Sequence, residues 1–132
     1  MTFLPMTIRA LATGAALLSL GAASQAQVSP DQMKIAYEAG RNQLGLMAYC
    51  QDKGHVAADV VDIQKKLIGM MPPPADMSGG DAAEAQGRKG VFAAMGMQQD
   101  IEVAAKAQNG TPATFCKQLG DAIKQIGAAL PK

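Results

Sequence analysis

Residues 29–53, SPDQMKIAYEAGRNQLGLMAYCQDK, decide the fold class because they carry the full set of signals for one long helix. Ser29 is a favoured N-cap residue, a proline suited to the first helical position follows it, and the next glutamine completes a capping box. Apolar and small residues then recur three or four positions apart, which is the period of one helical face. They are Met33, Tyr37, Gly40, Leu44 and Met47. Gly54 is a natural stop, so we predict a first helix over residues 30–53.

Three further helices are predicted from caps and helix breakers, over residues 55–71, 81–109 and 111–130. Consecutive prolines from Pro72 end the second helix, because proline cannot continue a helix. The third helix is rich in glycine, and Gly96 is the point at which it would kink. No stretch alternates polar and apolar residues as a half-buried strand does, so the chain is predicted to be all-α. The apolar faces of the second and fourth helices are Val56, Val60, Ile63, Leu67 and Met70/Met71, and Phe115, Leu119, Ala122, Ile126 and Leu130.

The two cysteines, Cys50 and Cys116, are predicted to form a disulfide. A metal or redox pair is the competing interpretation, but the chain has no Cys-x-x-Cys motif and a single histidine. Cys50 lies near the end of the first predicted helix and Cys116 near the start of the fourth, so an antiparallel arrangement brings them to the same end. The fold we predict is therefore a small up-down-up-down four-helix bundle tied by one disulfide.

A face of small residues is predicted on the third helix, where Gly87, Gly90 and Ala94 recur at helical spacing. Glycine in a helix interior costs about 1 kcal/mol relative to alanine. Close approach of a neighbouring helix would offset that cost. We therefore expect close helix packing at these three residues, which is used both in soluble bundles and between helices in lipid.

Residues 1–26 are predicted to be a secretory signal peptide that is cleaved before Gln27. Arg9 is their only charged residue, and an uncharged apolar core runs over residues 10–23. That core is shorter than the roughly 20 residues that span a bilayer, which argues against the alternative of a membrane anchor. Residues 27–132 then form a single helical domain, periplasmic or secreted, in which 11 basic residues balance 11 acidic residues.

Composition excludes several classes of function. The apolar fraction of 48% is too high for a disordered tail, and a formal net charge of +1 is unlike a basic nucleic-acid-binding domain. The sequence has no motif of nucleophilic catalysis, so we predict no catalytic residue and no cofactor, and His55 is interpreted as a surface residue. Thioethers are soft ligands for Cu(I), although methionine equally suits a core or an adaptable binding surface. The candidate copper ligands are Met70, Met71, Met95 and Met97.

Four stretches resemble small exported proteobacterial proteins that are labelled pore-forming proteins of the early-secreted-antigen type. They are YEAGRNQLG at residues 37–45, YCQ at 49–51, GDAAEA at 80–85 and AMGM at 94–97. The resemblance would extend over most of residues 27–132, and its motifs are structural rather than catalytic. It implies a secreted helical protein with membrane activity. The Trp-x-Gly turn that marks the antigen family is absent, since the chain contains no tryptophan.

We therefore expect an exported, non-enzymatic helical protein that acts on a membrane surface, as a pore-forming protein, or binds a protein partner, with homo-oligomers as a further option. One alternative is a periplasmic acid or stress chaperone, because the 11 acidic groups lose their charge together in acid. The small single-disulfide acid-stress chaperones of the periplasm are similar in architecture. A second alternative is a methionine-based Cu(I) carrier, and no nucleic-acid partner is expected.

Overall fold

The computed structural model describes residues 27–131, which form five α-helices and one two-stranded antiparallel sheet. The elements in chain order are α1 (Pro30–Asp52), α2 (Ala58–Gly69), α3 (Ser78–Arg88), β1 (Val91–Ala94), β2 (Met97–Asp100), α4 (Ile101–Ala107) and α5 (Pro112–Ala128). Within these residues, no helix has both the length and the apolar character needed to cross a membrane. The predicted signal peptide, residues 1–26, lies outside the described residues.

The predicted capped starts of α1 and α5 are confirmed. Ser29 Oγ accepts a hydrogen bond from the backbone N–H of Gln32 at 3.2 Å, and the Ser29 N–H donates to Gln32 Oε1 at 3.1 Å. Thr111 Oγ1 accepts from the N–H of Thr114 at 3.2 Å. A proline occupies the first turn of both helices. These contacts span three residues, so the local sequence is enough to define where each helix begins.

The molecule is mostly helical, as predicted, but it is not a clean four-helix bundle. Helix α1 lies at the centre and contacts α2, α3, β1 and α5. Every residue from Leu44 to Ala48 is buried, so α1 has no solvent-facing stripe over this stretch. The predicted apolar face is buried at Tyr37, Leu44 and Met47, but the other side of the helix is buried as well, because a helix with neighbours on all sides buries its whole circumference.

The predicted disulfide between Cys50 and Cys116 is present and joins α1 to α5. The two Cα atoms are 5.7 Å apart, and both residues are fully buried. The apolar core around the disulfide draws on α1, α2, α4 and α5. Its other buried residues are Leu44, Leu46, Met47, Val60, Val61, Ile101 and Ile123. The covalent link therefore lies inside the main core, shielded from solvent.

The predicted face of α5 is confirmed only in part: Phe115 and Leu119 pack against the core, but the fully buried residues lie beside that face. Its buried residues are Cys116, Gly120 and Ile123, whereas Ile126 is exposed. A Cβ atom on Gly120 would lie 3.0 Å from Val56 Cγ1, so the segment that leads into α2 rests on the backbone of α5. The disulfide turns this side of the helix inward. The sequence pattern was read from apolar side chains, so it did not include Gly120, the residue that allows the close contact with Val56.

The predicted third helix over residues 81–109 is wrong, because this part of the chain forms α3, a β-hairpin and α4. Gly90, with φ of 81°, lies between α3 and β1. Met95 and Gly96 form a two-residue turn with φ of 53° and 78°. Positive φ at both central residues is the mark of a type I′ hairpin turn. The break expected at Gly96 is therefore a reversal of the chain and not a kink.

The face of small residues predicted on the third helix does not form. Gly87 belongs to α3, Gly90 lies in the turn after it, and Ala94 is the last residue of β1. Residues at helical spacing do not share a face when a helix ends between them, as α3 does here. Side chains return to the same face every 3.6 residues in a helix but every two residues in a strand. Each strand has only four residues, too few for alternation to be recognised in the sequence.

Candidate functional site

The candidate site is built on the contact between α1 and α3, where the two backbones touch. A Cβ atom on Gly45 would collide with the carbonyl oxygen of Glu84, and one on Gly87 would collide with the carbonyl oxygen of Asn42. Both glycines are buried. Because contact at this distance requires glycine on each helix, α3 and the hairpin after it are held at one position along α1.

Asn42 fastens both α3 and the hairpin to α1. The residue is 1% exposed, and its Nδ2 donates hydrogen bonds to the carbonyl oxygens of Ala83 and Val91, each at 3.0 Å. Its Oδ1 accepts from the N–H of Ala93 at 2.8 Å. The amide is satisfied as a donor and as an acceptor, as burial of a polar group requires. It occupies the place that a neighbouring strand would take along the outer edge of β1.

Arg41 is the centre of a charged cluster beside the same helix contact. Its Nε donates to Glu84 Oε2 at 2.8 Å, and its Nη2 donates to Asp81 Oδ1 at 2.7 Å. Its Nη1 donates to the hydroxyl of Tyr37 at 2.8 Å. The second carboxylate oxygen of Glu84 accepts from Arg88 Nη2 at 2.9 Å. The cluster therefore ties one arginine of α1 to two carboxylates of α3.

The neighbouring charges and hydrogen bonds in this cluster shift the pKa values of Glu84 and Arg41. Burial alone would raise the pKa of Glu84, but hydrogen bonds from Arg88 and Arg41, with their positive charges, hold the pKa below its usual value. Burial alone would lower the pKa of Arg41, but its hydrogen bonds to Tyr37, Glu84 and Asp81 raise the pKa well above its usual value. Glu84 is therefore ionised and Arg41 protonated near neutral pH. This suits the cluster to holding α3 in place and not to proton transfer.

An open groove of about 490 Å³ lies between α1, α3 and the tip of the hairpin. Glu38 is the one charged residue among those that line it, and its carboxylate is 3.8 Å from Lys34 Nζ. The lining residues are Ile35, Glu38, Ala39, Gly79, Ala82, Ala83, Gln86 and residues 93–98. Small apolar side chains with a few polar groups are typical of a ligand-binding groove. This groove therefore suits an uncharged, apolar ligand.

Two of the four candidate copper ligands, Met95 and Met97, line this groove at the hairpin tip, with exposed fractions of 86% and 71%. Met70 lines a different groove, between the C-terminal ends of α2 and α5. Met71 packs close to Gly40 of α1. The structure brings together one pair of methionines and does not place all four in one groove. Exposed methionine on an ordered hairpin is typical of an adaptable apolar surface.

Among residues 27–131, no group of three or more histidine, cysteine, aspartate or glutamate side chains is placed to hold a metal ion. His55 lies in the loop before α2 and is half-buried rather than fully at the surface. Its backbone N–H donates to the carbonyl oxygen of Cys50 at 2.8 Å, which closes the end of α1. His55 is therefore held in place by a hydrogen bond of its backbone, which does not involve its imidazole ring.

Comparison with protein-family models, curated proteins and solved structures finds no match to this chain. The resemblance to exported pore-forming proteins therefore stays a prediction. Three of its stretches coincide with the candidate site: residues 37–45 and 80–85 form the contact between α1 and α3, and residues 94–97 form the hairpin tip. The resemblance thus depends on residues that build this part of the fold.

Sequence reasoning missed Arg41, Asn42 and Glu84, the side chains that hold the site together. One signal was available: Arg41 and Asn42 are polar residues in the middle of a helix whose following turns are strongly apolar. A polar pair at such a position indicates contact with a further element. The identity of that element, α3 with its hairpin, does not follow from α1 alone.

Proposed function

We propose that this chain is an exported, non-enzymatic protein that binds an apolar segment of a partner polypeptide in the groove between α1, α3 and the hairpin tip. The observation that carries the proposal is the exposure of Met95 and Met97 on an ordered hairpin beside that groove. Methionine side chains are flexible and polarisable, so surfaces rich in them adapt to apolar partners. Export is supported by the signal peptide predicted over residues 1–26 and by a disulfide in the core, since disulfides persist in oxidising compartments.

The chemistry of the groove favours a polypeptide that carries apolar side chains. Ala82 and Ala93 are small, so a ligand side chain can reach close to the backbones of α3 and β1. Ile35 is exposed and extends the apolar wall along α1. Gln86 and Gln98 provide amide donors and acceptors that can pair with the main chain of a partner without needing a charge.

Binding can be measured by the fluorescence anisotropy of a labelled, uncharged amphipathic peptide of leucine, alanine and glutamine, added to the oxidised protein. Met95→Gln combined with Met97→Gln keeps the side-chain length but replaces each thioether with a polar amide. We expect this double variant to bind the peptide about tenfold more weakly, because apolar contact at two side chains is lost.

The matched control is Met70→Gln, because Met70 is also exposed but lines the other groove. This variant should bind the peptide as the unmodified protein does. An equal loss in the control and in the double variant, or no binding by the unmodified protein, would reject the proposal. Leakage of dye-filled vesicles caused by the unmodified protein would instead favour the pore-forming alternative.

A second candidate function, an acid-responsive chaperone, is favoured by the Arg41 cluster. Asp81 and Glu84 attach α3 to α1 through Arg41, at 2.7 Å and 2.8 Å. Arg88 and Arg41 hold the pKa of Glu84 below its usual value, so protonation of Glu84 at low pH removes its share of this attraction. Release of α3 would expose the buried side of α1 to unfolded polypeptides. Because Glu84 and Arg41 lie at the contact between α1 and α3, the loss of this attraction acts directly on that contact.

This candidate predicts that an apolar fluorescent dye binds more strongly as the pH falls from about 5 to about 2. Arg41→Met should show stronger dye binding already at neutral pH, because the attachment of α3 is weakened without acid. A flat dye signal in the unmodified protein across this range would reject the acid-responsive function.

A further inference from the structure

The methionines of the described residues differ in how much of each side chain reaches solvent. Met95 and Met97 are the most exposed of them, at 86% and 71%, followed by Met70 at 61% and Met77 at 49%. Met47, in contrast, is fully buried in the core. The two most accessible methionines are therefore the two at the hairpin tip, and both line the groove between α1, α3 and the hairpin.

The backbone of the hairpin tip leaves these two side chains without shielding. Met95 lies in the two-residue turn with φ of 53°, and a Cβ atom on the next residue, Gly96, would meet no atom within 4 Å. Met97 pairs across the hairpin with Ala94, whose side chain is a single methyl group. A small reagent can therefore reach both thioethers while the protein stays folded.

The other two exposed methionines are placed differently. The hydroxyl of Tyr37 donates a hydrogen bond to Met77 Sδ at 3.7 Å, so one lone pair of that sulfur is engaged. Met70 lines the groove between the C-terminal ends of α2 and α5. A chemical change at Met70 would therefore leave the groove at the hairpin tip as it is.

We propose that Met95 and Met97 are sites of oxidation by hydrogen peroxide, and that their oxidation weakens the binding of an apolar polypeptide segment in the groove. In each step the sulfur attacks one oxygen atom of the peroxide, and the S–O bond forms as the O–O bond breaks. The other oxygen takes up the proton of the transferred oxygen and leaves as water. The sulfur loses two electrons, the peroxide is reduced, and methionine sulfoxide reductases restore the thioether.

The sulfoxide changes the groove and not the fold. Oxidation converts a flexible apolar side chain into a polar one, which removes the property on which the proposed function rests. The hairpin itself is held by main-chain pairing and by the Asn42 amide, and these contacts do not involve either thioether. Met47 is shielded and the two cysteines are already joined, so dilute peroxide acts first on the hairpin tip.

The test treats the disulfide-bonded protein with graded amounts of hydrogen peroxide. Fragmentation mass spectrometry of its proteolytic peptides follows the sulfoxide at each methionine. Met95 and Met97 should be oxidised at least about tenfold faster than Met47, because susceptibility follows exposure. The anisotropy of the labelled leucine, alanine and glutamine peptide should show binding about tenfold weaker once both are oxidised. Circular dichroism should stay unchanged.

Met95→Leu combined with Met97→Leu keeps the apolar surface but removes the sulfur that is oxidised. This double variant should bind the peptide and keep its affinity after treatment with peroxide. Met70→Leu is the matched control, because it removes an exposed methionine outside this groove. Peroxide should weaken its binding of the peptide as much as it does in the unmodified protein.

Three results would overturn the proposal: oxidation of Met95 and Met97 no faster than that of Met47, unchanged peptide affinity after both are oxidised, or an equal loss in the double leucine variant. Failure of the proposed function gives a different result. In that case the untreated protein does not bind the peptide, which rejects the effect of oxidation on binding as well. The mass spectra then still decide whether the hairpin tip is the site of oxidation.

Discussion

The two sides of α1 are held by different interactions. On the disulfide side, α2 and α5 pack mainly through apolar side chains around the buried link between Cys50 and Cys116, and the ion pair between them, Asp59 with Lys124, is largely exposed. On the hairpin side, α3 and the hairpin are attached through glycine contacts, the Asn42 amide and the charges of Arg41. Apolar burial and a covalent bond do not depend on protonation, whereas ion pairs do.

This difference indicates where the molecule can respond to its surroundings. The hairpin side carries both the groove with its exposed methionines and the exposed strand β2. This side is attached to α1 through the Asn42 amide and the ion pairs of Arg41, which a single substitution or a low pH can weaken. The disulfide side keeps α1 and α5 together whatever happens to α3. We therefore expect the hairpin side to loosen while the disulfide side stays folded, and the following variants test this division.

The largest effect is expected from Gly45→Val, which would force α3 away from α1. A Cβ at this position collides with the carbonyl oxygen of Glu84 and lies 2.9 Å from the backbone nitrogen of Arg88. Backbone atoms cannot move aside as a flexible side chain can, so we expect a loss of more than about 4 kcal/mol in the free energy of unfolding. Urea denaturation measures this loss.

Gly69→Val in α2 is the matched control for Gly45→Val, because no atom lies within 4 Å of its added Cβ. Its free energy of unfolding should change by less than about 1 kcal/mol. Similar stabilities of the two variants would contradict the backbone contact between α1 and α3.

Removal of the disulfide tests the other side of α1. The link joins residues 66 positions apart, and closing a loop of that length contributes about 4 kcal/mol in the chain-entropy model. We expect Cys50→Ala combined with Cys116→Ala to lose that stability and to melt at a clearly lower temperature. A melting curve close to that of the oxidised protein would show that apolar contacts alone hold α5 to α1.

Asn42→Asp tests the attachment of the hairpin with almost no change of shape. The carboxylate can still accept from Ala93 N–H, but it faces the carbonyl oxygens of Ala83 and Val91 without a proton to donate. We expect a loss of about 3 kcal/mol near neutral pH, from lost donors and a buried charge. Hydrogen exchange should be faster at β1 than at α5.

The same variant has a pH dependence that checks its cause. Burial raises the pKa of a carboxyl group above its value in the unfolded chain, so the cost of Asn42→Asp falls as the pH drops and the group becomes protonated. A cost that is the same at every pH would mean that the lost donors, and not the charge, destabilise the variant.

The smallest effect is expected from protonation of Glu84. Its pKa in the folded protein is lowered by Arg88 and Arg41 against the opposing effect of burial. The stabilisation is therefore complete above the pKa of the unfolded chain, about 4.3, and is lost as the pH falls through the lower folded value. Glu84→Gln should lack this part of the acid sensitivity, a difference of about 1–2 kcal/mol in the free energy of unfolding.

Urea denaturation at several pH values compares Glu84→Gln with the unmodified protein. Glu102→Gln on α4 is the control, since Glu102 is exposed and lies outside the contact between α1 and α3. This control should keep the acid sensitivity of the unmodified protein. If the free energy of unfolding of Glu84→Gln falls with pH as steeply as that of Glu102→Gln, the acid response does not come from the Arg41 cluster.

Sequence patterns predicted those parts of the fold that depend on close neighbours. The capping boxes at Ser29 and Thr111 involve partners three residues away, so a short segment contains all the information. The hairpin was missed because its turn, Met95-Gly96, lacks the common Asn-Gly signal and its strands are short. Its β1 edge is completed by Asn42, which is 51 residues from Ala93. No local pattern contains such a partner.

By itself, the sequence determined the helical character of the chain, the start of α1 and α5, and the disulfide between Cys50 and Cys116. Helix caps need only adjacent residues, and two cysteines allow only one pairing. The tertiary structure alone decided that α1 is surrounded, which face of α5 is buried, and that residues 91–100 form a hairpin. The positions of α3 and the hairpin depend on a close approach to the backbone of α1, which is possible only where Gly45 and Gly87 face each other's helix. The buried face of α5 depends on the disulfide and on Gly120, whose backbone lies against Val56.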